Sequence, residues 1–223
     1  MIKKTLLFFV EEKSAKEVLD VLMQRIQDEY ELREVLDYKI IDKKGKDDLR
    51  IYSKQLFSTN RIEGFRKLYS NPIAIVIYDN DNNKDCKQEK ENWAKIINSK
   101  FAKVVTLNPN NKYPFPLYKQ LPVVIRVACQ ELESFFLGDV KAVNQALGTK
   151  LNQEKGDHKD PDKAIKPSDT LSKNIIYRKG KHPQRIANHL EIEKEDIKNK
   201  SSSYKLLLTT IHILINYSGK FSR

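Results

Sequence analysis

Cysteine is scarce in this chain: only Cys86 and Cys129 occur in 223 residues. Two cysteines in a chain this long make no disulfide framework and no closely spaced pair of ligands, so structural zinc is not expected and a reducing cytoplasm is the expected compartment. Neither has a histidine near it in sequence, and both are read as packing residues rather than nucleophiles. The four histidines, His158, His182, His189 and His212, show no metal-ligand spacing and are read as loop or helix-surface residues. No segment approaches the roughly 18 apolar residues of a membrane span. The opening Met1-Ile2-Lys3-Lys4 and the apolar run after it briefly resemble a signal peptide. The run is short, closes on Glu11-Glu12 and is followed by no small-residue cleavage site, so it is read as a first strand. No Gly-rich phosphate loop occurs among the seven glycines, which leaves nucleotidyl transfer without its pocket.

What is abundant is charge. Lys+Arg number 41 against 30 Asp+Glu, a formal net charge of +11. Such an excess favours a polyanionic partner, nucleic acid being the commonest. Its distribution sharpens the point: Lys166, Lys173, Arg178, Lys179, Lys181, Arg185 and Lys200 crowd the last third, while acids stand at the ends of apolar runs. Ile73 to Tyr78 has the length and β-branched content of a buried strand and is followed by Asp79-Asn80-Asp81; Leu6 to Val10 is another and ends in Glu11-Glu12. In an open α/β sheet ligands bind beyond the carboxyl ends of the strands. If the two strands are neighbours, their carboxylates meet at one point, and a divalent metal or strong cationic partners must offset their repulsion.

Strand alternating with helix predicts a mainly parallel α/β sheet flanked by helices. Ser14 and Glu17 read as a capping box opening a helix through Ile26. Tyr38 to Ile41 reads as a short strand, 42–48 as a charged loop, and Ile62, Phe65 and Leu68 as a helix ending before Asn71-Pro72. A helix from about Lys84 to Ser99, a strand from Lys103 to Leu107, a loop from Pro109 to Pro116 and a strand from Val123 to Cys129 follow. Glu131 to Leu137 reads as helix, Gly138 as its break, and Asp139 as the cap of a further turn through Leu147. Residues 149–182 read as a long polar connection or an ordered loop with function, Pro183 as the first turn of a helix, and Tyr204 to Ile215 as the final buried helix. The expected division is an α/β domain over 1–148 and a basic loop with a C-terminal helical extension over 149–223, packed on it.

Three blocks together resemble the Toprim-like bacterial proteins grouped as domain of unknown function 4276. They are Phe9-Val10-Glu11-Glu12-Lys13-Ser14-Ala15, Ile77-Tyr78-Asp79-Asn80-Asp81-Asn82-Asn83-Lys84-Asp85-Cys86, and Arg126 to Asp139 with its Glu131-Leu132-Glu133 step. The likeness extends through Tyr177-Arg178-Lys179, Arg185-Ile186-Ala187 and Asn199 to Tyr204. It implies a Toprim fold, in which a glutamate after the first strand and an Asp-x-Asp after a later one bind Mg²⁺. By motif these are Glu11, Asp79 and Asp81. Toprim proteins often have glycine directly after the glutamate; here Glu12 stands there, so either Glu11 or Glu12 faces the site. Relatives of this kind are associated with ABC-type ATPases in phage defence, which the resemblance makes an expected partner.

The expected chemistry is Mg²⁺- or Mn²⁺-dependent phosphodiester hydrolysis by a cytoplasmic, non-membrane protein, with Asp79 and Asp81 holding metal and Glu11 completing the shell or acting as general base. Glu131 and Glu133 are further candidate ligands. On regular helix they stand about 200° apart, so one faces inward, and Glu131 is preferred. Arg126, inside an apolar strand, needs a partner, either a site carboxylate or a salt bridge elsewhere. Arg126, Lys181 and Arg185 are the candidate nucleic-acid contacts. The alternative is a Toprim-derived subunit that regulates such an ATPase or binds nucleic acid without cutting it. A topoisomerase needs a tyrosine nucleophile in an additional domain, for which the chain has no room.

Overall fold

A computed structural model describes residues 3–80, 85–107, 120–175, 177–193 and 196–216. Five strands, β1 (Lys4–Val10), β2 (Leu36–Asp42), β3 (Pro72–Asn80), β4 (Ala102–Val104) and β5 (Leu121–Cys129), form one sheet in the order β2-β1-β3-β5-β4. Every pairing is parallel. A parallel sheet is covered on both faces, so its strands read as continuous apolar runs.

Each face has its own core. Leu6, Phe8 and Val10, with Ile73, Ile75, Ile77, Val124 and Ala128, pack under α1 (Lys13–Glu29) and the C-terminal helices. Leu7, Phe9, Ala74, Val76, Tyr78, Val123, Ile125 and Val127 pack under α2 (Lys46–Phe57), α3 (Arg61–Leu68) and α4 (Cys86–Ile97), where Trp93 stacks on Tyr78 at 4.8 Å between ring centroids. The C-terminal third comprises α5 (Ser134–Leu137), α6 (Val140–Leu147), α7 (Pro167–Asn174), α8 (Pro183–Ala187) and α9 (Ser202–Asn216). Its apolar residues belong to the first core, which runs without a break from Leu6 to Ile215.

Several expectations are corrected. The box at Ser14 and Glu17 does not form: α1 starts at Lys13, Glu12 is the cap residue without a side-chain cap bond, and the Ser14 hydroxyl turns back to the Glu12 carboxylate. Residues 42–48 are not all loop, because α2 begins at Lys46 with Asp47 and Asp48 in its first turn, where carboxylates suit the helix dipole. Its buried Leu49, Ser53, Leu56 and Phe57 have helical spacing that the surrounding charge obscures. The 149–182 connection holds two 3₁₀ turns and α7. His158 and His212 are core residues rather than surface ones, each bonded to a backbone carbonyl, of Asn152 at 3.1 Å and Ile192 at 3.0 Å. Asp139 caps α6 through the Ala142 N–H at 3.0 Å, and Gly148 closes it in the left-handed conformation, both as expected. The expected Pro109–Pro116 loop lies outside the described residues.

Long-range polar contacts seat the C-terminal elements. The Lys4 ammonium donates to the Leu214 and Ile215 carbonyls at the end of α9, at 3.1 and 2.8 Å. Arg25 of α1 donates to the Ala187 and Leu190 carbonyls following α8, at 2.8 and 2.5 Å. Asp162 accepts from the Ser201 hydroxyl at 2.7 Å and from the Ser203 amide at 3.0 Å at the start of α9. Gly138 is where this segment approaches most closely: Lys200 N–H donates to its carbonyl at 2.8 Å, and a Cβ there would lie 2.6 Å from the Ser201 nitrogen and clash with the Asn199 side chain. Gly138→Ala is therefore expected to destabilise the protein by about 1–3 kcal/mol, the usual cost of overpacking. An unchanged midpoint in urea unfolding would show that residues 199–201 yield freely.

Candidate functional site

Residue parity and strand direction bring the acids together. In the parallel register Val10 of β1 lies opposite Ile77, and Asp79 of β3 opposite Ala128 of β5. The segments leaving β1, β3 and β5 therefore emerge side by side at one edge. Asp79 is still in β3, on the face of Ile73, Ile75 and Ile77, rather than in a turn after it. Its backbone N–H donates to Glu11 Oε2 at 3.1 Å, which fixes the Glu11 carboxylate over the end of β3. Lys46 at the start of α2 donates to the Asp79 carbonyl at 3.1 Å and lies 3.7 Å from Glu89. Asp81 lies outside the described residues.

After β5 the chain turns sharply at Gln130, which takes a left-handed φ of 71°, uncommon for a residue other than glycine. Residues 131–133 are a turn, and helix begins only at Ser134. The 200° helical separation of Glu131 and Glu133 does not apply, and both carboxylates face the centre. Glu131 Oε2 accepts the Ser168 N–H of α7 at 2.8 Å. Glu133 is fully buried; its Oε1 accepts the Tyr177 hydroxyl at 2.9 Å and lies 3.7 Å from the Lys179 ammonium. Its Oε2 is buried with no hydrogen bond among the described residues.

The electrostatics confirm the convergence. Burial pushes the Glu133 carboxyl above its usual range, against the opposing pull of Lys179 and the Tyr177 hydrogen bond. Burial alone would lower the Lys179 ammonium, but Glu133, Glu12, Glu131 and Asp79 together hold it above its ordinary value. Four carboxylates, from the ends of β1, β3 and β5, thus act on one cation. Both Glu11 and Glu12 belong to the site: Glu11 bonds Asp79, and the charge of Glu12 reaches Tyr177 and Lys179.

The other expected site residues lie elsewhere. Arg126 has neither a site carboxylate nor another acid as its partner among the described residues. Its Nε donates to Thr210 Oγ1 of α9 at 2.6 Å and its guanidinium to the Ile125 carbonyl at 2.9 Å, and burial pushes it down to about 10. This is a strand-to-helix brace, because the even positions of β5 face α9. Lys181 and Arg185 sit beside and on α8, and neither pairs with a carboxylate among the described residues. Cys86 and Cys129 bring their sulfurs to 3.3 Å beside Asn80, and burial pushes the Cys129 thiol up to about 11, which agrees with a packing role. Sequence reasoning missed Tyr177 and Lys179 as parts of the centre. Both lie in the stretch 149–182, and the signal was their place in the Tyr177-Arg178-Lys179 block of the family resemblance, which carried no role for either.

The donor set suits a hard divalent cation. Every candidate ligand is a carboxylate, as Mg²⁺ and Mn²⁺ prefer, and the buried oxygen of Glu133 has no other partner among the described residues. Among those residues, no three His, Cys, Asp or Glu side chains already form a coordinating group. A family model described as a domain of unknown function (DUF4276) matches residues 10–212. No curated protein and no solved structure matches the chain.

Glu133 yields a pH prediction. A carboxyl that is raised in the folded state binds its proton more tightly there than in the unfolded chain, so its contribution favours folding below the ordinary glutamate range of about 4.3 and is lost as pH rises through the raised value. Glu133→Gln keeps an acceptor for Tyr177 and removes the ionisation. The variant is expected to be as stable as wild type, or more so, at pH 7 without divalent metal, and its stability should fall less between pH 4 and 7. Parallel stability–pH curves for the two proteins would refute a raised Glu133.

Proposed function

The chain belongs to the DUF4276 family, and from its acidic strand edge we propose that it is a Toprim-type nuclease, dependent on Mg²⁺ or Mn²⁺, that hydrolyses nucleic-acid phosphodiesters. The ATPase partner and the phage-defence setting are part of the proposal and rest on the resemblance of its motifs. The observation that carries the reading is geometric: at the carboxyl ends of three adjacent parallel strands Glu11 accepts the Asp79 N–H at 3.1 Å, and Glu131 and Glu133 follow β5 at the same edge, Glu133 3.7 Å from Lys179. Carboxylates accumulate in this way where a function outweighs their repulsion.

In this reading the half-buried Glu11, Asp79 and Glu131 would hold the metal, and Asp81, two residues on from Asp79 in sequence, is the motif's further ligand. When bound, Mg²⁺ supplies Lewis acidity at a phosphoryl oxygen and a more acidic water. Glu133, wholly buried, positions Tyr177 and Lys179 through Oε1, and its unbonded Oε2 would be left to the metal. Lys179 keeps its proton and places a positive charge where the phosphate enters. Glu11, oriented by the Asp79 N–H, is the carboxylate aimed to receive a proton from attacking water. Hydrolysis adds the water oxygen to phosphorus and breaks one P–O ester bond. One strand end leaves as a hydroxyl carrying a proton and the other as a phosphate monoester.

One feature favours a second reading, a non-catalytic regulatory or nucleic-acid-binding subunit. Lys179 already neutralises part of the acidic centre, as a resident ammonium can in a site that binds no metal. The two readings predict opposite responses to Lys179→Gln. In a metal site the variant removes a competitor, and Mg²⁺ should raise its melting temperature more than that of wild type. In a self-neutralised centre the variant loses stability and gains nothing specific from Mg²⁺.

The decisive test is cleavage. The purified protein, alone or with an ATPase partner, is expected to nick or degrade DNA or RNA with Mg²⁺ or Mn²⁺ and to stop in EDTA. Ca²⁺ should support binding with little cleavage, because its larger, looser shell positions water poorly. Asp79→Ala should reduce cleavage at least about a hundredfold, the low end for loss of an essential group in transition-state stabilisation. Cleavage at the wild-type rate by Asp79→Ala and by Glu131→Gln would remove these residues from the chemistry.

A further inference from the structure

Two groups stand out among the basic residues of the last third. Lys166, Lys179 and Lys200 are matched to Asp169, Glu133 and Glu154. Arg178, Lys181 and Arg185 have no acid within ion-pair reach among the described residues, and all three line one cavity of about 380 Å³ with Leu147, Thr149, Ile175 and His182. No carboxylate lines it. Three cations around one concavity repel each other unless an anion joins them, and the volume lies in the range of small-ligand sites, about 300–1,000 Å³.

The details match a phosphate carried on an organic group. The His182 ring is anchored at Nδ1, which accepts the Arg178 N–H at 3.2 Å, so the neutral ring carries its proton on Nε2 as a donor. Arg185 is held by the Ala146 carbonyl at 2.7 Å and so stays beside the cavity rather than ranging through solvent. The Thr149 hydroxyl donates to Asn144 Oδ1 at 2.7 Å and so holds the rim of the cavity, and Leu147 and Ile175 give an apolar wall on which a sugar or base can rest. The cavity also adjoins the acidic centre: His182 packs edge-on against Tyr177 at 6.0 Å between ring centroids, and Tyr177 bonds Glu133.

We infer that this cavity binds the phosphate of a nucleotide unit, with Arg178, Lys181 and Arg185 as its cationic ligands and His182 as a polar support. The inference rests on nucleic acid being the substrate, and it gives the protein a preference for a phosphorylated strand end beside the acidic edge. A free nucleotide offers the same chemistry.

Binding measured in EDTA separates this site from the metal chemistry. The probes are inorganic phosphate, adenosine monophosphate, and one short single-stranded oligonucleotide in 5′-phosphorylated, 3′-phosphorylated and unphosphorylated forms. Wild type is expected to bind one phosphorylated form at least about tenfold more tightly than the unphosphorylated one, as for one or more hydrogen bonds to a charged group. The Arg178→Gln/Lys181→Gln variant, changed at two exposed positions, should lose that preference without a change in melting temperature. Inorganic phosphate should shift the His182 ring resonances in wild type and not in the variant. Tight adenosine monophosphate binding, lost in the variant, with no preference among the oligonucleotides would identify a free nucleotide as the ligand. Equal affinity for all probes in wild type and variant, with unmoved His182 resonances, overturns the inference while cleavage with Mg²⁺ remains to be read separately. A phosphate preference in a protein that never cleaves upholds this site and overturns the nuclease reading.

Discussion

Because β3 pairs in parallel with β1 on one side and β5 on the other, three chain segments leave the sheet at one edge and in one direction. The same pairing requires a crossover after each strand and an apolar cover on both faces, which is why nearly all of β1 and β3 is buried. Antiparallel pairing of β5 would send Glu131 and Glu133 to the opposite edge from Glu11 and Asp79. The acidic centre is thus a product of topology before it is a product of side-chain contacts.

That centre is electrostatically strained in a defined way. Full burial raises the proton affinity of Glu133, and the neighbouring Glu131 adds to the effect. Two partners moderate it: a phenol that bonds one Glu133 oxygen and an ammonium that faces four acids. The other Glu133 oxygen is left without a bond among the described residues. In the proposed function a divalent ion would relieve this strain and a phosphate would follow the ion.

The C-terminal third is what makes the centre more than a row of acids. Tyr177 and Lys179 belong to it, as does the Ser168 amide that bonds Glu131. They are held by bonds that reach back to the first strand and helix: Lys4 to the end of α9, and Arg25 to the carbonyls after α8. Arg126 ties α9 to β5, and the close approach at Gly138 seats residues 199–201 against the end of α5. The segment from 149 onward is thereby part of one continuous core, and its two faces of function, the Tyr177–Lys179 pair and the cavity of unpaired cations, lie on either side of a single short stretch of chain.

Local pattern alone determined much of this molecule. Continuous apolar runs marked β1, β3 and β5, because a strand buried on both faces has no polar positions to interrupt it. Asp139, Gly148 and Pro183 marked helix ends through capping and fixed backbone angles, which depend on few neighbours. Glu11, Asp79 and Glu131 were legible as site candidates because acids at strand ends share an edge in any parallel sheet. The helix at 46–57 was hidden because charge outnumbers its buried positions. Arg126 was misplaced because its partner, Thr210, is 84 residues away. The inward direction of both Glu131 and Glu133 depended on the left-handed turn at Gln130, and the roles of Tyr177 and Lys179 on α7 and α8 folding back over the strand ends. Secondary structure follows from spacings of a few residues, whereas the partners of a buried charge are chosen by which distant segments pack against it, and only the tertiary structure makes that choice.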